Sequence, residues 1–135
     1  MPARYLLDTN IVSYLLRNQF PILRSRFEAA GAAALAISCI TEAKVLFGVA
    51  RKPGSARLKT AVEEFFAIVP AAAWDSGAAR AYGALRAELE RKGRPLSSED
   101  LMIAAYALAA GLILITHDAA FSFVDGLKTE DWTAG

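Results

Sequence analysis

Residues 101–115 read LMIAAYALAAGLILI, the longest apolar run in the chain. This run is shorter than the roughly 20 apolar residues that a membrane-spanning helix needs. Gly111 interrupts it, and glycine is a typical helix-stop signal. The run therefore predicts a buried helix that ends near Gly111, followed directly by a buried strand.

The rest of the chain continues this alternation of short apolar runs and longer amphipathic stretches. The runs lack alternating polarity, which indicates parallel strands buried on both faces. We therefore predict a three-layer α/β/α sandwich with a mainly parallel sheet of four to five strands. The predicted strands are Arg4–Leu7, Leu35–Ser38, Ala67–Val69 and Leu112–Thr116, with a weaker fifth near Leu127–Thr129. The predicted helices are Ile11–Asn18, Pro21–Ala30, Thr41–Arg51, Ala56–Phe66, Ser76–Lys92 and Glu99–Ala110.

Length, charge and cysteine content limit the classes of function. The 135 residues fit one domain with a sizeable core. The formal net charge is only +1, so a nucleic-acid site must come from local basic patches. The single cysteine, Cys39, excludes an intrachain disulfide and fits a reducing compartment. The N-terminus lacks the pattern of a signal peptide, so we expect a cytoplasmic protein without a membrane span.

Four acidic residues are predicted to lie at one edge of the sheet. Asp8 follows the first strand, Glu42 opens the helix after the second, and Asp118 follows the fourth. Asp100 opens the helix that descends to the amino end of the fourth strand, so its side chain also starts from the carboxyl edge. Open α/β sheets bind ligands at this edge.

Carboxylates at such an edge favour a divalent cation. Clustered carboxylates repel one another and lose water on burial, and a cation relieves both costs. Mg²⁺ and Mn²⁺ prefer oxygen ligands, and metals held by carboxylates suit phosphoryl chemistry. Helix capping is the alternative explanation for each acid, because carboxylates accept hydrogen bonds at helix starts. From the residues alone, either Glu99 or Asp100 can supply the third acid.

Four sequence blocks, in this order, resemble the motifs of PIN-domain ribonucleases, most closely those of VapC-type toxins. They are LLDTN at 6–10, ISCITEAKVLFGVAR at 37–51, GRPLSSEDLMIAAYAL at 93–108 and LILITHDAAF at 112–121. The similarity extends from about Arg4 to Trp132 and implies a single PIN domain over residues 1–135. It implies an endoribonuclease that needs Mg²⁺ or Mn²⁺ and hydrolyses a structured RNA, with tRNA the first candidate. It further implies a homodimer and a cognate VapB-type antitoxin that blocks the substrate groove.

The resemblance also assigns residues to the site. The predicted catalytic and metal-binding acids are Asp8, Glu42, Asp100 and Asp118. Asp100 is selected over Glu99, because the acid of the family stands three residues before an Ile-Ala pair, here Ile103-Ala104. The matching polar positions beside the site are Thr9, Asn10 and Thr116. His117 falls in a variable position, so we interpret it as a loop side chain and not as a metal ligand.

Basic residues are locally dense at two turns, and we predict that they form the walls of an RNA groove. The candidates are Arg51, Lys52, Arg91, Lys92 and Arg94. For any single one, a solvated helix face is the simpler explanation.

Other classes of function compete with the nuclease. The serious alternative is a PIN-like module that binds nucleic acid or a partner without significant turnover. A haloacid-dehalogenase-type phosphatase would carry a second aspartate where Asn10 stands. A dinucleotide-binding protein would show a G-x-G-x-x-G motif after the first strand, and none follows it.

Overall fold

A computed structural model of the chain describes residues 3–94 and 96–134. Met1, Pro2, Pro95 and Gly135 of the predicted domain lie outside the described residues. The strands are β1 (Tyr5–Leu7), β2 (Leu35–Ser38), β3 (Ala71–Ala72), β4 (Ile113–Ile115) and β5 (Thr129–Glu130). The α-helices are α1 (Thr9–Leu16), α2 (Pro21–Ala30), α3 (Cys39–Ala50), α4 (Ala56–Ile68), α5 (Ser76–Lys92) and α6 (Ser98–Ala110). Two 3₁₀ helices are η1 (Ala32–Ala34) and η2 (Ala119–Phe123).

The strands form one parallel sheet in the order β3-β2-β1-β4-β5, with a hydrophobic layer on each face. Leu6 of β1 packs on one face with Ile103 of α6. Leu7, the next residue, packs on the other face with Ile11 of α1 and Phe65 of α4. Because both strand residues are fully buried, the strand shows no polar alternation. The predicted three-layer α/β/α sandwich is confirmed.

Most predicted elements agree with the structure. The strand Leu35–Ser38 and the helices Pro21–Ala30 and Ser76–Lys92 are confirmed residue for residue. Gly111 ends α6 in the left-handed conformation, with φ of 70°. In the described part of the chain, each helix is too short or too polar to cross a lipid bilayer.

The prediction of a strand at Ala67–Val69 is wrong. Helix α4 continues through Ile68, and the strand begins only after Pro70. Proline lacks the N–H that continues a helix and disfavours helical geometry in the residue before it, so it separates the two elements. A short apolar run has no period that distinguishes a strand from a buried helix end.

Two side chains of this helix end are expected to contribute differently to stability. Phe65 is 9% exposed, whereas Ile68 is 54% exposed. Phe65→Ala should lower the free energy of unfolding by about 3 kcal/mol, because it leaves a cavity in the core. Ile68→Ala should lower it by less than about 1 kcal/mol. Urea denaturation measures both values, and equal losses would contradict the difference in burial between the two side chains.

The order of strands places a ligand-binding position beside β1. The chain runs from β1 to β2 and β3 on one side, then returns to place β4 on the other side of β1. In open α/β sheets, ligands bind outside the carboxyl ends of the strands where this reversal occurs. Leu7 is in register with both Ile37 and Ile115, so the residues that follow these three strands start from the same level.

Candidate functional site

Asp8 lies at the centre of this carboxyl edge. Its Oδ1 accepts a hydrogen bond of 2.9 Å from the backbone N–H of Ile11, so Asp8 is the N-cap of α1. Its own N–H donates to the carbonyl oxygen of Ile115 at 3.1 Å. The residue is only 4% exposed. Capping therefore accounts for one carboxylate oxygen, but it does not require the carboxylate to be buried.

Burial raises the pKa of Asp8 from 3.8 to about 6. Hydrogen bonds from the Thr116 hydroxyl and the Ile11 N–H lower this pKa, while the negative charges of Asp100 and Asp118 raise it further. Three of the predicted acids therefore lie within electrostatic reach of one another. Within residues 3–94 and 96–134, none of the ion pairs includes Asp8, Asp100 or Asp118. The site therefore concentrates negative charge, and no basic side chain among the described residues pairs with it.

The first turn of α6 brings Asp100, rather than Glu99, to the site. Ser97 caps this helix, and its Oγ accepts a 3.2 Å hydrogen bond from the Asp100 N–H. Asp100 is half-buried and acts on the pKa of Asp8, whereas Glu99 is exposed. The geometry thus favours Asp100, the residue that the resemblance of the sequence blocks also selects.

Glu42 lies at the same edge but outside the group that acts on Asp8. It sits half-buried in the first turn of α3, after Ser38, which ends β2 and caps the helix. The starts of α3 and α1 are joined by a 3.1 Å hydrogen bond between the hydroxyls of Thr41 and Thr9. Thr41 is fully buried. Sequence reasoning missed Thr41, although its position directly before Glu42 at a predicted helix start was visible.

Thr116 connects Asp8 with Asp118. Its hydroxyl lowers the pKa of Asp8 and accepts a 3.0 Å hydrogen bond from the Asp118 N–H. The Oδ1 of Asp118 accepts a 2.9 Å bond from the Ala120 N–H, at the start of η2. Thr116 is 4% exposed, while Asp118 is exposed. The predicted supporting residue is thus bonded to Asp118 and acts on the pKa of Asp8.

The side chains are not drawn together into a metal cage. Across the residues that the structure describes, no group of three or more histidines, cysteines, aspartates or glutamates is positioned to hold a metal ion. The chemistry of the group nevertheless suits a cation, since a buried carboxylate faces like charges and lacks a basic partner. Oxygen ligands of this kind are those that Mg²⁺ and Mn²⁺ prefer.

Comparison with known proteins identifies the family. The model of the PIN domain family matches residues 5–127. The chain belongs to the PIN-domain family. It is 34% identical over 131 residues to a tRNA(fMet)-specific endonuclease VapC of Shigella flexneri, covering 96% of this chain and 98% of that protein. The resemblance predicted from the four sequence blocks is confirmed.

Solved structures agree with this assignment. This PIN domain matches a chain of DNA-bound VapBC from Salmonella typhimurium with a TM-score of 0.90 and 32% identity, covering 96% of this chain and 98% of that one. It matches VapBC2 from Rickettsia felis, bound to a promoter DNA fragment, with a TM-score of 0.87 and 28% identity. That match covers 93% of this chain and 96% of the other.

A groove of about 410 Å³ leads away from the acids of the PIN domain, between α1, α3 and α4. Thr9 and exposed Asn10 line its end nearest Asp8. Its basic lining residues are Arg17, Lys44, Arg51 and Lys52. The sequence predicted Arg51 and Lys52. It missed Arg17 and Lys44, because only the packing of α1 against α3 brings them to the same groove.

The other predicted groove residues have different contacts. Lys92 Nζ lies 2.8 Å from Asp125, and Arg91 lies 3.8 Å from Glu88. The guanidinium of Arg94 stacks over the ring of Phe123 at 4.0 Å. These three basic residues do not line the 410 Å³ groove. A second basic wall at this turn stays a prediction.

Proposed function

We propose that this PIN domain is a metal-dependent endoribonuclease, the toxin of a toxin–antitoxin pair, which hydrolyses phosphodiester bonds of a structured RNA. The observation that carries the proposal is the buried Asp8, which has Asp100 and Asp118 near it and no basic partner among the described residues. This group lies where open α/β sheets bind ligands. A tRNA is the first candidate substrate, because the Shigella flexneri relative is named a tRNA(fMet)-specific endonuclease.

The proposed cation is Mg²⁺ or Mn²⁺, held by Asp8, Glu42, Asp100 and Asp118. When bound, such an ion activates water and stabilises the oxygen that leaves phosphorus. Interactions within the chain orient the site independently of the ion. Thr116 accepts a hydrogen bond from the Asp118 N–H, and its hydroxyl acts on the pKa of Asp8, so it is a supporting residue between the two acids. The bond between Thr9 and Thr41 fixes the start of α1 against the helix that carries Glu42.

The groove lined by Arg17, Lys44, Arg51 and Lys52 is the proposed path of the RNA backbone. Lys44→Glu should raise the KM for RNA roughly tenfold, because it removes a phosphate contact and adds a repelling charge. The kcat should stay within about twofold, since Lys44 lies outside the group of acids. Arg86→Glu is the matched control, because Arg86 pairs with Glu90 on α5. Equal effects of both reversals would exclude a specific role for the groove.

Protein partners belong to the same proposal. Two solved relatives are VapBC assemblies, so a cognate VapB-type antitoxin is the first partner to test. A second copy of the chain, in a homodimer, is the second partner to test. Leu46 and Phe47 of α3 are 47% and 63% exposed, which gives a protein partner an apolar surface.

Cleavage of RNA by the purified chain, free of antitoxin, tests the function. The protein should cut RNA from a cellular pool in Mg²⁺ or Mn²⁺ and stop when EDTA removes the metal. Cleavage that continues in EDTA would contradict metal dependence. A chain that binds RNA in Mn²⁺ without cutting any of the pool would instead support the binding module.

A further inference from the structure

His117 lies between Thr116 and Asp118, and residues of the carboxyl-terminal segment hold its ring. Its Nδ1 lies 2.8 Å from the Oδ2 of Asp131 and 3.0 Å from the Oγ1 of Thr133. The Thr133 hydroxyl donates to the other oxygen of Asp131 at 2.6 Å. In the tautomer that carries a hydrogen on Nδ1, His117 donates a hydrogen bond to the Asp131 carboxylate, which accepts it.

Asp131 is ionised in this arrangement. Burial raises its pKa, but hydrogen bonds from Thr133 and His117 outweigh that effect and hold the pKa below the ordinary value of 3.8. The segment around Asp131 is itself anchored. Arg26 donates to the Asp131 carbonyl oxygen at 3.2 Å, and the Trp132 ring lies edge-on to Tyr5 at 5.0 Å between centroids.

Two aromatic rings lie beside the half-exposed imidazole on another side. The centroid of Phe20 lies 5.7 Å from that of His117, and the centroid of Tyr14 lies 6.4 Å from it. Phe20 adopts φ of 57°, a left-handed conformation that side chains other than glycine rarely adopt. Strained backbone of this kind persists only where its surroundings hold it. The turn between α1 and α2 therefore holds Phe20 against His117 despite the strain.

Among the described residues, the Asp118 side chain is hydrogen-bonded only within its own loop, and the Asp118 N–H donates to the Oγ1 of Thr116 at 3.0 Å. The residue is exposed, and its Oδ1 is bonded within its own loop to Ala120. Thr116, two residues before Asp118, donates its N–H to the Glu130 carbonyl oxygen at 3.0 Å, but β5 is a two-residue edge strand. A carboxylate that binds a cation needs outer partners that fix its orientation. His117 is the side chain that ties this loop to Asp131 and Thr133.

We propose that His117, Asp131 and Thr133 form a clasp that positions the Asp118 carboxylate for cation binding. This inference rests on the proposed function, because it assigns a role within the same site. His117 acts through the backbone of Asp118, so it is a positioning residue and not a ligand. The clasp joins the loop after β4 to the carboxyl-terminal segment, outside the group of acids.

Binding of Mn²⁺ to the chain without RNA, measured by electron paramagnetic resonance, tests the clasp directly. Asp131→Ala should weaken Mn²⁺ binding roughly tenfold, as loss of an outer partner commonly does. The Mn²⁺ concentration that gives half-maximal RNA cleavage should rise by the same factor, while the KM for RNA stays unchanged. Glu90→Ala removes an exposed carboxylate that lies 3.0 Å from Arg86 and should change neither quantity.

A second pair of variants separates positioning from folding. Thr133→Val removes the hydroxyl and should weaken Mn²⁺ binding severalfold, whereas Thr133→Ser keeps the hydroxyl and should bind Mn²⁺ like the wild type. If Asp131→Ala does not fold, as thermal denaturation will show, this pair decides the question. Wild-type Mn²⁺ affinity in folded Asp131→Ala or in Thr133→Val would overturn the clasp and leave the proposed function intact. A wild-type chain that neither binds Mn²⁺ nor cuts RNA would overturn the proposed function.

Discussion

Replacing Asp8 with asparagine should abolish RNA cleavage and make the metal-free protein more stable near neutral pH. Asparagine keeps an oxygen that can accept the N–H of Ile11, and it caps helices as well as aspartate does. It removes a charge that is buried near Asp100 and Asp118 and has no basic partner in the described part of the chain. Opposite effects on activity and stability are typical of a functional residue held in an unfavourable environment. A residue that only capped α1 would show neither effect.

The gain in stability should depend on pH. The pKa of Asp8 is about 6 in the folded chain, and we take its ordinary value of 3.8 for the unfolded chain. Between these values the folded state binds a proton that the unfolded state has lost, so wild-type stability falls as pH rises through this window. At 1.36 kcal/mol per unit, the loss is on the order of 3 kcal/mol and is complete above pH about 6. Asp8→Asn should therefore match the wild type near pH 4 and exceed it near pH 7 by about 3 kcal/mol.

Urea denaturation in EDTA at both pH values measures this difference. Asp75→Asn is the matched control, because Asp75 caps α5 through the same type of bond, 3.0 Å to the Ala78 N–H, but is exposed. It should show little gain at neutral pH. Added Mn²⁺ should stabilise the wild type and not Asp8→Asn, since a ligand stabilises only the state that binds it. Equal pH dependence of the two asparagine variants would contradict a buried, unpaired charge.

The sequence predicted the parts of the fold that depend on local signals. Gly111, a helix-stop residue, ends α6 as predicted, and the buried strands lack alternating polarity. The strand after α4 could not be placed, because its two alanines are not strongly apolar and the run before Pro70 is helical. A local sequence pattern therefore predicts long helices and buried strands better than it predicts a short edge strand.

The grouping of acids was predictable for a geometric reason. In a parallel sheet the carboxyl ends of the strands meet at one edge, so Asp8 and Asp118 had to start close together once the strands were recognised. How far Glu42 lies from Asp8 depends on the packing of α3, which the sequence does not encode locally. The clasp of His117 depends on contacts between residues 14 or more positions apart, and no motif marks it.

Asp100→Asn should remove RNA cleavage, whereas Glu99→Gln should leave it within about twofold of the wild type. The two acids are neighbours in the first turn of α6, so both substitutions remove one charge from the same helix start. Only Asp100 is half-buried and acts on the pKa of Asp8, which places its charge in the site. Cleavage rates at saturating Mn²⁺ and the Mn²⁺ affinity of the RNA-free chain should change together in Asp100→Asn and stay constant in Glu99→Gln. The reverse result would assign the third acid to Glu99. Equal losses of cleavage in both variants would indicate that the two residues act only through the dipole of α6.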